Sequence, residues 1–288
     1  MSRRFRNWFL LSVLWVTSMS ADAADRADHY SAQRADFVAA RQALRSNQTA
    51  RFAQLEQRLR DYPLHIYLRY DVLHARLADA SAAEVQAFLS AAADSPLAER
   101  LRRERLNVLA RQQRWPEFLA LYKAAEADVS LRCRYLQANR PHMPTQQWLT
   151  AVETLWLVGH SQPDACGPVF AVFTASPHMT SELIWKRIRL AMAEAEPSLA
   201  AFLAQSLPAD QRAWVDVWRA VHARPSSAAA QPRLQQCTAR AREILVHAAG
   251  RWARNDPVAA YAWWNGIADR YAFADEQRAQ ALRAIALQ

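Results

Sequence analysis

The sequence predicts an all-α fold, and three observations lead to that prediction. Only four glycines occur in 288 residues. Alanine, leucine and arginine dominate the composition, and all three favour helix. No long run alternates valine, isoleucine or threonine with polar residues, as half-buried strands do. We therefore expect helices joined by short connections, without a sheet.

The first part of the chain carries clear signals for where helices begin and end. We expect helices over 28–45 and 49–60, and the second must end before Pro63 because proline disfavours helical geometry in the residue that precedes it. Apolar residues then recur at helical spacing over 64–77, which predicts a third helix.

Capping residues mark three further helix starts. Ser81 and Glu84 have the spacing of a capping box, in which each side chain satisfies a backbone N–H of the other residue. Ser95-Pro96 places a capping hydroxyl before a proline at the first helical position, and Asp256-Pro257 repeats the arrangement near the end.

The remaining helices form a regular succession along the chain. They are expected over 96–112, 115–124, 129–138, 145–157, 167–175, 181–195, 197–206, 209–223, 231–254, 257–269 and 275–287. Paired hairpins without a central strand predict an α-solenoid, in which each hairpin buries its apolar face against its neighbours. The tetratricopeptide spacing is not matched, so the repeat is irregular. We interpret 225–232, PSSAAAQP, as a long loop inside the array.

The first 23 residues have the layout of a secretory signal peptide. Three arginines precede an apolar run from Trp8 to Val16, and Ala21-Asp22-Ala23 forms a cleavage site. The alternative is a membrane anchor, but a bilayer needs roughly 20 apolar residues. No cysteine stands at the cleavage site for lipid attachment. We expect an exported protein of residues 24–288, in the periplasm or outside the cell, with no stable membrane insertion.

Export determines how the three cysteines are interpreted. In an oxidising compartment Cys133 and Cys166 can form a disulfide, worth roughly 3.5 to 4 kcal/mol for a loop of this size. Cys237 is then left alone. Its surroundings, QQCTARAREILVHA, predict a buried free thiol within a helix, although an intermolecular bridge is the alternative.

The charge of the chain points to an acidic partner. Removal of residues 1–23 takes away three arginines and one aspartate, which lowers the formal net charge from +9 to +7. Outside the cytoplasm the obvious polyanion is the cell wall with its peptide carboxylates, so we expect no nucleic-acid partner. The competing explanation is a compositional bias toward arginine, because Lys123 and Lys186 are the only lysines.

Motifs for catalysis, metals and cofactors are missing. Gly159-His160-Ser161 begins like a nucleophile elbow, but Pro163 stands where the second glycine is required. The sequence contains no HExxH, no CxxC and no glycine-rich phosphate loop. We expect neither a metal site nor a cofactor.

Nine tryptophans follow residue 23, and aromatic faces can stack on sugars. The stronger interpretation is that most fill gaps between alanine-rich helices. Adjacent Trp263 and Trp264 cannot share a helix face, so one of the two is the better candidate for exposure.

Several segments carry a resemblance to a known family. In order along the chain they are Tyr62-Pro63-Leu64, Tyr67-Leu68-Arg69-Tyr70, Leu109-Ala110-Arg111, Trp115, Cys133, LWLVGHSQPDACGPVF at 155–170, Trp185-Lys186-Arg187-Ile188-Arg189-Leu190-Ala191 and Leu207-Pro208. Together they resemble the N-terminal superhelical domain of soluble lytic murein transglycosylases. The most specific element is the corner Ser161-Gln162-Pro163-Asp164-Ala165-Cys166 with its upstream cysteine.

The resemblance implies a right-handed α-superhelix, a solenoid of irregular helical hairpins with the shape of a horseshoe. It also implies a periplasmic enzyme that cleaves the bond between N-acetylmuramic acid and N-acetylglucosamine in peptidoglycan, leaving an anhydro-muramoyl end. In that family a separate lysozyme-like C-terminal domain carries one catalytic glutamate, which acts as general acid and then as base.

The family's catalytic glutamate has no counterpart in this sequence. The family places it before a serine with a Gly-Leu-Met-Gln run downstream, and neither pattern occurs here. We interpret four other helical glutamates as members of solvated ion pairs: Glu117, Glu153, Glu182 and Glu243. The linker and catalytic domains are therefore expected to be absent from 24–288, as in a truncated chain.

Two functions follow from these observations. The first is the non-catalytic scaffold of a lytic transglycosylase, which would hold glycan strands and position the missing C-terminal catalytic domain. The alternative is an exported, non-enzymatic α-solenoid that binds cell-wall polymer or a protein partner. Neither function identifies substrate-binding residues.

Overall fold

A computed structural model describes residues 30–288 as a succession of helices. Across this part of the chain no residue adopts a β-strand, which confirms the all-α fold class. The signal-peptide prediction for residues 1–23 lies outside the described residues. Contacts between the described residues divide them into two compact units, one that ends at Glu126 and one over Ala127–Gln288.

The first unit contains six described helices. They are α1 (30–45), α2 (Thr49–Arg58), α3 (His65–Ala75), α4 (Ala82–Ala91), α5 (Pro96–Arg111) and α6 (Trp115–Leu121). One core forms between α1, α2 and α3 around Leu59 and Leu68, and a second joins α3, α4 and α5 around Phe88 and Leu101. Each helix thus packs mainly on its neighbours in sequence, as in a solenoid.

The second unit contains nine α-helices among the described residues. They are α7 (Val129–Asn139), α8 (Thr145–Trp156), α9 (Gly167–Thr174), α10 (Ser181–Ala193), α11 (Pro197–Ala204), α12 (Ala209–Ala223), α13 (Ala239–Ala253), α14 (Pro257–Ile267) and α15 (Asp275–Ala286). Within residues 30–288 there are also five short 3₁₀ segments: Ala124–Glu126, Arg140–His142, Asp164–Cys166, Pro225–Ala230 and Pro232–Gln235. One continuous core runs through this unit from Cys133 to Ile285.

The capping predictions are confirmed. The Ser81 hydroxyl accepts the Glu84 N–H at 3.2 Å, and the Glu84 carboxylate accepts the Ser81 N–H at 2.8 Å. Ser95 caps α5 ahead of Pro96, and the Asp256 carboxylate accepts the Ala259 N–H at 2.9 Å. Such caps fix helix starts because they satisfy N–H groups that have no partner within the helix.

A buried arginine binds the backbone of the connection between α3 and α4. Arg105 of α5 donates to the backbone carbonyls of Leu77, Ala78 and Ala80, the last at 2.7 Å. Burial lowers the pKa of this guanidinium. Its hydrogen bonds satisfy carbonyls that would otherwise be buried without a partner.

One helix prediction was wrong, and the interpretation of Cys237 failed with it. The range 231–254 is not one helix, because a 3₁₀ turn at Pro232–Gln235 precedes α13, which begins only after its N-cap Thr238. Between them Cys237 adopts a φ of 39°, a left-handed conformation that a right-handed helix cannot include. Cys237 is therefore exposed in a turn, not buried in a helix.

The other observed helix ends agree with the sequence to within three residues. The range 225–232, which we expected to be a long loop inside the array, is mostly a 3₁₀ helix, Pro225–Ala230.

The tryptophans mostly belong to the core, as predicted. Six are buried: Trp148, Trp156, Trp185, Trp214, Trp218 and Trp264. Trp263 is half-buried and packs against Trp252 with ring centroids 5.5 Å apart, so of the adjacent pair it is the more exposed.

No helix among residues 30–288 is long and apolar enough to cross a membrane.

Candidate functional site

The 155–170 segment forms a corner between α8 and α9. The chain leaves α8 after Trp156, and the Gln162 amide donates back to the Leu155 carbonyl at 2.7 Å. Cys133 of α7 and Cys166, which precedes α9, are joined in the structure as a disulfide with Cα atoms 4.9 Å apart. Both cysteines are fully buried, so the bridge ties the corner to α7.

Arg187 of α10 contacts the corner through two hydrogen bonds and an aromatic ring. Its guanidinium donates to the backbone carbonyls of Val158 and His160, each at 3.3 Å, and lies 4.6 Å from the centroid of the Trp156 ring. Burial lowers the pKa of Arg187 to about 10. The partners are carbonyls and an aromatic face, which suits a structural cation.

Gly159 lets the corner approach α10 closely. A Cβ atom here would lie 2.6 Å from the backbone carbonyl of Leu190 and closer still to the Glu194 carboxylate. The carboxylate could move, but the backbone oxygen could not. Glycine is required by this contact.

One open feature of the second unit is a groove along α13. Two adjacent cavities, of about 530 and 270 Å³, share Ala193, Val246, His247 and Gln280 in their walls. We call this feature the α13 groove and define it by Glu243, His247, Arg251 and Arg254. Because these residues are spaced by four, four and three positions, they lie on one face of the helix.

Opposite charges are balanced at the Glu243 end of the groove. Arg189 of α10 donates to Glu243 at 2.7 Å and to Glu182 at 3.0 Å. The Arg240 guanidinium, 3.8 Å from the centroid of the Trp185 ring, adds a second positive charge near both carboxylates. Burial raises the pKa of Glu243 above its ordinary value despite these arginines.

Two histidines meet in the middle of the groove. His222 Nδ1 and His247 Nε2 lie 3.0 Å apart, and Trp218 packs edge-on to His247. Burial, followed by the charges of His222, Arg251 and Arg254, lowers the pKa of His247 to about 3. Burial and the two arginines also lower the pKa of His222. Both rings are therefore neutral near pH 7.

The far end of the groove is positively charged. Arg251 and Arg254 line the smaller cavity, and neither forms an ion pair within the described residues. The Nε of Arg251 is buried without a hydrogen-bond partner. Burial and the charge of Arg254 lower the pKa of Arg251.

Nothing in residues 30–288 brings three or more His, Cys, Asp or Glu side chains together in a way that could hold a metal ion.

Comparisons with known proteins identify relatives of the chain. No protein-family model matches it. It is 29% identical over 249 residues to the soluble lytic murein transglycosylase of Escherichia coli (strain K12). The crystal structure of the 70-kDa soluble lytic transglycosylase from Escherichia coli superposes with a TM-score of 0.75 at 26% identity, over 88% of the present chain. The chain is a homologue of the soluble lytic murein transglycosylases.

A second solved lytic transglycosylase is also similar to the chain. An inactive variant of Slt from Pseudomonas aeruginosa superposes with a TM-score of 0.77 at 31% identity, over 87% of this chain. The chain spans 38% of the length of its Escherichia coli relative and 41% of each solved chain.

Three of the four glutamates singled out by sequence pair with arginines, and the fourth, Glu153, lies beside a histidine. Glu117 accepts from Arg114 at 2.6 Å, and Glu153 lies 2.5 Å from His178. Glu182 and Glu243 share Arg189. Glu243 departs from the expected solvated pair because it is buried enough to raise its pKa.

Sequence reasoning did not find the α13 groove. A signal was present, because Glu243, His247 and Arg251 are spaced by four residues within 243–253, a segment that is otherwise apolar. That spacing marks a polar face, but it does not show that α10 and α15 leave the face open.

Proposed function

We propose that the chain is the non-catalytic superhelical portion of a periplasmic lytic transglycosylase that acts on peptidoglycan. The observation that carries the proposal is the structural similarity to two solved lytic transglycosylases over 87–88% of this chain but only 41% of theirs. The whole enzyme would cleave the bond between N-acetylmuramic acid and N-acetylglucosamine and produce anhydro-muropeptides. The described helices would serve as scaffold and as part of a glycan-binding ring.

The arrangement of carboxylates supports a non-catalytic role. A general acid in a glycosidase needs a carboxyl group that can reach the leaving oxygen and release its proton. Glu243 has a raised pKa, but its carboxylate is held by Arg189 at 2.7 Å. No Glu-Ser dipeptide occurs anywhere in the sequence. Catalysis would therefore need a further domain as partner.

Charge and cysteine chemistry support a role at the cell wall. The chain carries a formal net charge of +9, which favours association with a polyanion. The Cys133–Cys166 bridge would persist in an oxidising compartment such as the periplasm. Glycan strands with their peptide carboxylates would be the partner that this charge attracts.

The test separates catalysis from binding. Purified residues 24–288 are incubated with murein sacculi, and the released products are analysed by mass spectrometry, with a full-length soluble lytic murein transglycosylase as positive control. We expect no anhydro-muropeptides from the chain alone. Measurable release would overturn the non-catalytic assignment.

Retention on sacculi tests the binding half of the proposal. The protein is sedimented with sacculi at rising sodium chloride concentration. We expect retention that weakens as salt screens the charges. Absence of retention at low salt, or retention unaffected by salt, would contradict binding through the basic surface.

A further inference from the structure

The first unit contains an open groove along α5. Two adjacent cavities, of about 510 and 400 Å³, share Gln86, Ala120 and Leu121 in their walls. Helix α5 lines both cavities, together with α4 and residues 117–126. We call this feature the α5 groove, and every residue that lines it lies within 82–126.

The walls of the α5 groove match one class of ligand. We propose that the groove binds an uncharged, N-acetylated segment of a glycan strand through its sugar rings. The inference rests on the proposed function, because the glycan of peptidoglycan is the N-acetylated polymer that a wall protein meets. It assigns this part of the chain to the sugar backbone and not to the peptide carboxylates.

The first argument is that charge is balanced along the groove. The residues that line it include three glutamates and three cationic side chains: Glu99, Glu117, Glu126, Arg102, Arg105 and Lys123. The chain as a whole carries a formal net charge of +9. The groove therefore lacks the excess of positive charge that would select a polyanion, and it suits a ligand without net charge.

The second argument is that charged groups at the larger cavity are already held in place. The Glu126 carboxylate accepts from Arg102 and, at 3.1 Å, from Lys123. Burial acts to raise the pKa of Glu126, but these hydrogen bonds outweigh it and keep the pKa below its ordinary value. An ionised carboxylate has about four acceptor sites, so sites remain for sugar hydroxyls. Side chains fixed in this way lose little freedom when a ligand binds.

Uncharged side chains line the same cavity. Gln86 and Ser90 are exposed on α4, and an amide and a hydroxyl can each donate and accept, as sugar hydroxyls and acetamido groups require. Tyr122 also lines the cavity, and its ring stacks on Phe118 with centroids 5.9 Å apart. An aromatic ring offers apolar surface to the C–H groups of a sugar.

The third argument is the apolar character of the smaller cavity. Ala82, Ala83 and Val85 of α4 line it with Leu109 of α5 and Leu121 of α6. The methyl of an acetamido group gains by entering such a cavity, because apolar surface is removed from water. The groove thus combines hydrogen-bonding groups with an apolar cleft, as recognition of an N-acetylated sugar requires.

The fourth argument is length. The α5 residues that line the groove extend from Pro96 to Leu109, and those between them, Glu99, Arg102 and Arg105, are spaced so that they share one helix face. Thirteen residues correspond to about 20 Å along a helix. A single sugar ring would fill only part of that length, so affinity should increase with the length of the oligosaccharide.

The test compares four probes on the purified protein by isothermal titration calorimetry. They are chitotetraose, chitobiose, cellotetraose, which has the same linkage but no acetamido groups, and the stem peptide released from murein. We expect chitotetraose to bind at least about fivefold more tightly than cellotetraose, because its acetyl methyl groups are buried in the apolar cavity. Chitobiose and the stem peptide should bind more weakly than chitotetraose. Sodium chloride should leave chitotetraose binding unchanged, since the groove has no net charge.

Matched variants locate the sugar. Ala120 is exposed where the two cavities meet, so Ala120→Leu should fill the middle of the groove and weaken chitotetraose binding about tenfold. Ala87→Leu is the control, because Ala87 is also exposed on a helix but lines neither cavity. Gln86→Ala removes one amide and should cost about threefold to tenfold in affinity. Circular dichroism checks that each variant is folded.

Several outcomes would overturn the inference. Equal affinity for chitotetraose and cellotetraose removes the acetamido groups from recognition, and tighter binding of the stem peptide assigns the groove to a peptide. Equal losses in Ala120→Leu and Ala87→Leu place the sugar outside the groove. If sacculi retain the protein but chitotetraose does not bind it, this inference fails while the proposed function stands. If sacculi do not retain it either, both fail.

Discussion

The guanidinium of Arg187 lies 4.6 Å from the centroid of the Trp156 ring and joins α10 to the end of α8. The same group donates to two carbonyls of the corner that follows Trp156. The carbonyls of Val158 and His160 lie outside any helix, and the Arg187 guanidinium supplies their hydrogen-bond donors. The corner at 155–170 is therefore held by its neighbours, and its special residues are structural.

Replacing Arg187 should destabilise the second unit. Arg187→Ala leaves two carbonyls without a partner and removes an aromatic contact, so we expect a loss of about 2 to 4 kcal/mol in the free energy of unfolding. Urea denaturation followed by circular dichroism measures it. The neighbouring Lys186 is exposed, and Lys186→Ala should change stability by less than about 0.5 kcal/mol. Similar losses in the two variants would contradict the structural role of Arg187.

Two glycines should respond to alanine in opposite directions. Gly159→Ala places a Cβ atom 2.6 Å from the Leu190 carbonyl, and the resulting strain should cost about 1 to 3 kcal/mol. Gly266 lies within α14, and a Cβ atom there would meet open space, so Gly266→Ala should gain about 0.5 to 1 kcal/mol in helix propensity. Thermal denaturation of both variants measures the difference. A stable Gly159→Ala protein would show that the corner can move away from α10.

The helices could be predicted from sequence where local chemistry decides them. Ser81, Ser95 and Asp256 cap their helices because a short polar side chain suits that position in any fold. The start of α13 was missed although Thr238 is a good N-cap. Nothing in the sequence indicates that Cys237 adopts a φ of 39°, since that conformation is imposed by the turn around it.

The candidate site depended on contacts that sequence does not contain. Cys133 and Cys166 could be proposed as a pair because export to an oxidising compartment makes a disulfide plausible. The groove required knowing that Arg189 of α10 meets Glu243 across 54 positions, while Arg251 and Arg254 meet no carboxylate among the described residues. Helical spacing shows which residues share a face, whereas the packing of neighbouring helices decides whether that face stays open.

The disulfide predicts one reactive thiol in the native protein. A maleimide should label exposed Cys237 only, and both Cys133 and Cys166 should react after reduction and unfolding. The double variant Cys133→Ala/Cys166→Ala should lose roughly 3 to 4 kcal/mol of stability by the chain-entropy model. Cys237→Ser is the control and should retain the stability of the parent protein. Three labelled cysteines in the unfolded, unreduced protein would show that the bridge does not form.

The His222–His247 pair predicts acid sensitivity with a defined sign. The pKa of His247 lies at about 3 in the folded protein against an ordinary value of 6.5, because burial and nearby arginines disfavour the charged ring. Between these values the unfolded chain binds a proton that the folded protein does not. Stability should therefore fall by about 1 kcal/mol per pH unit as the pH drops below 6.5. Urea unfolding at pH 7, 6, 5 and 4 measures the slope. His247→Gln cannot take up the proton and should flatten it, whereas replacing the exposed His142 by Gln should leave it unchanged. Parallel pH profiles for the parent and His247→Gln would show that His247 is not the group responsible.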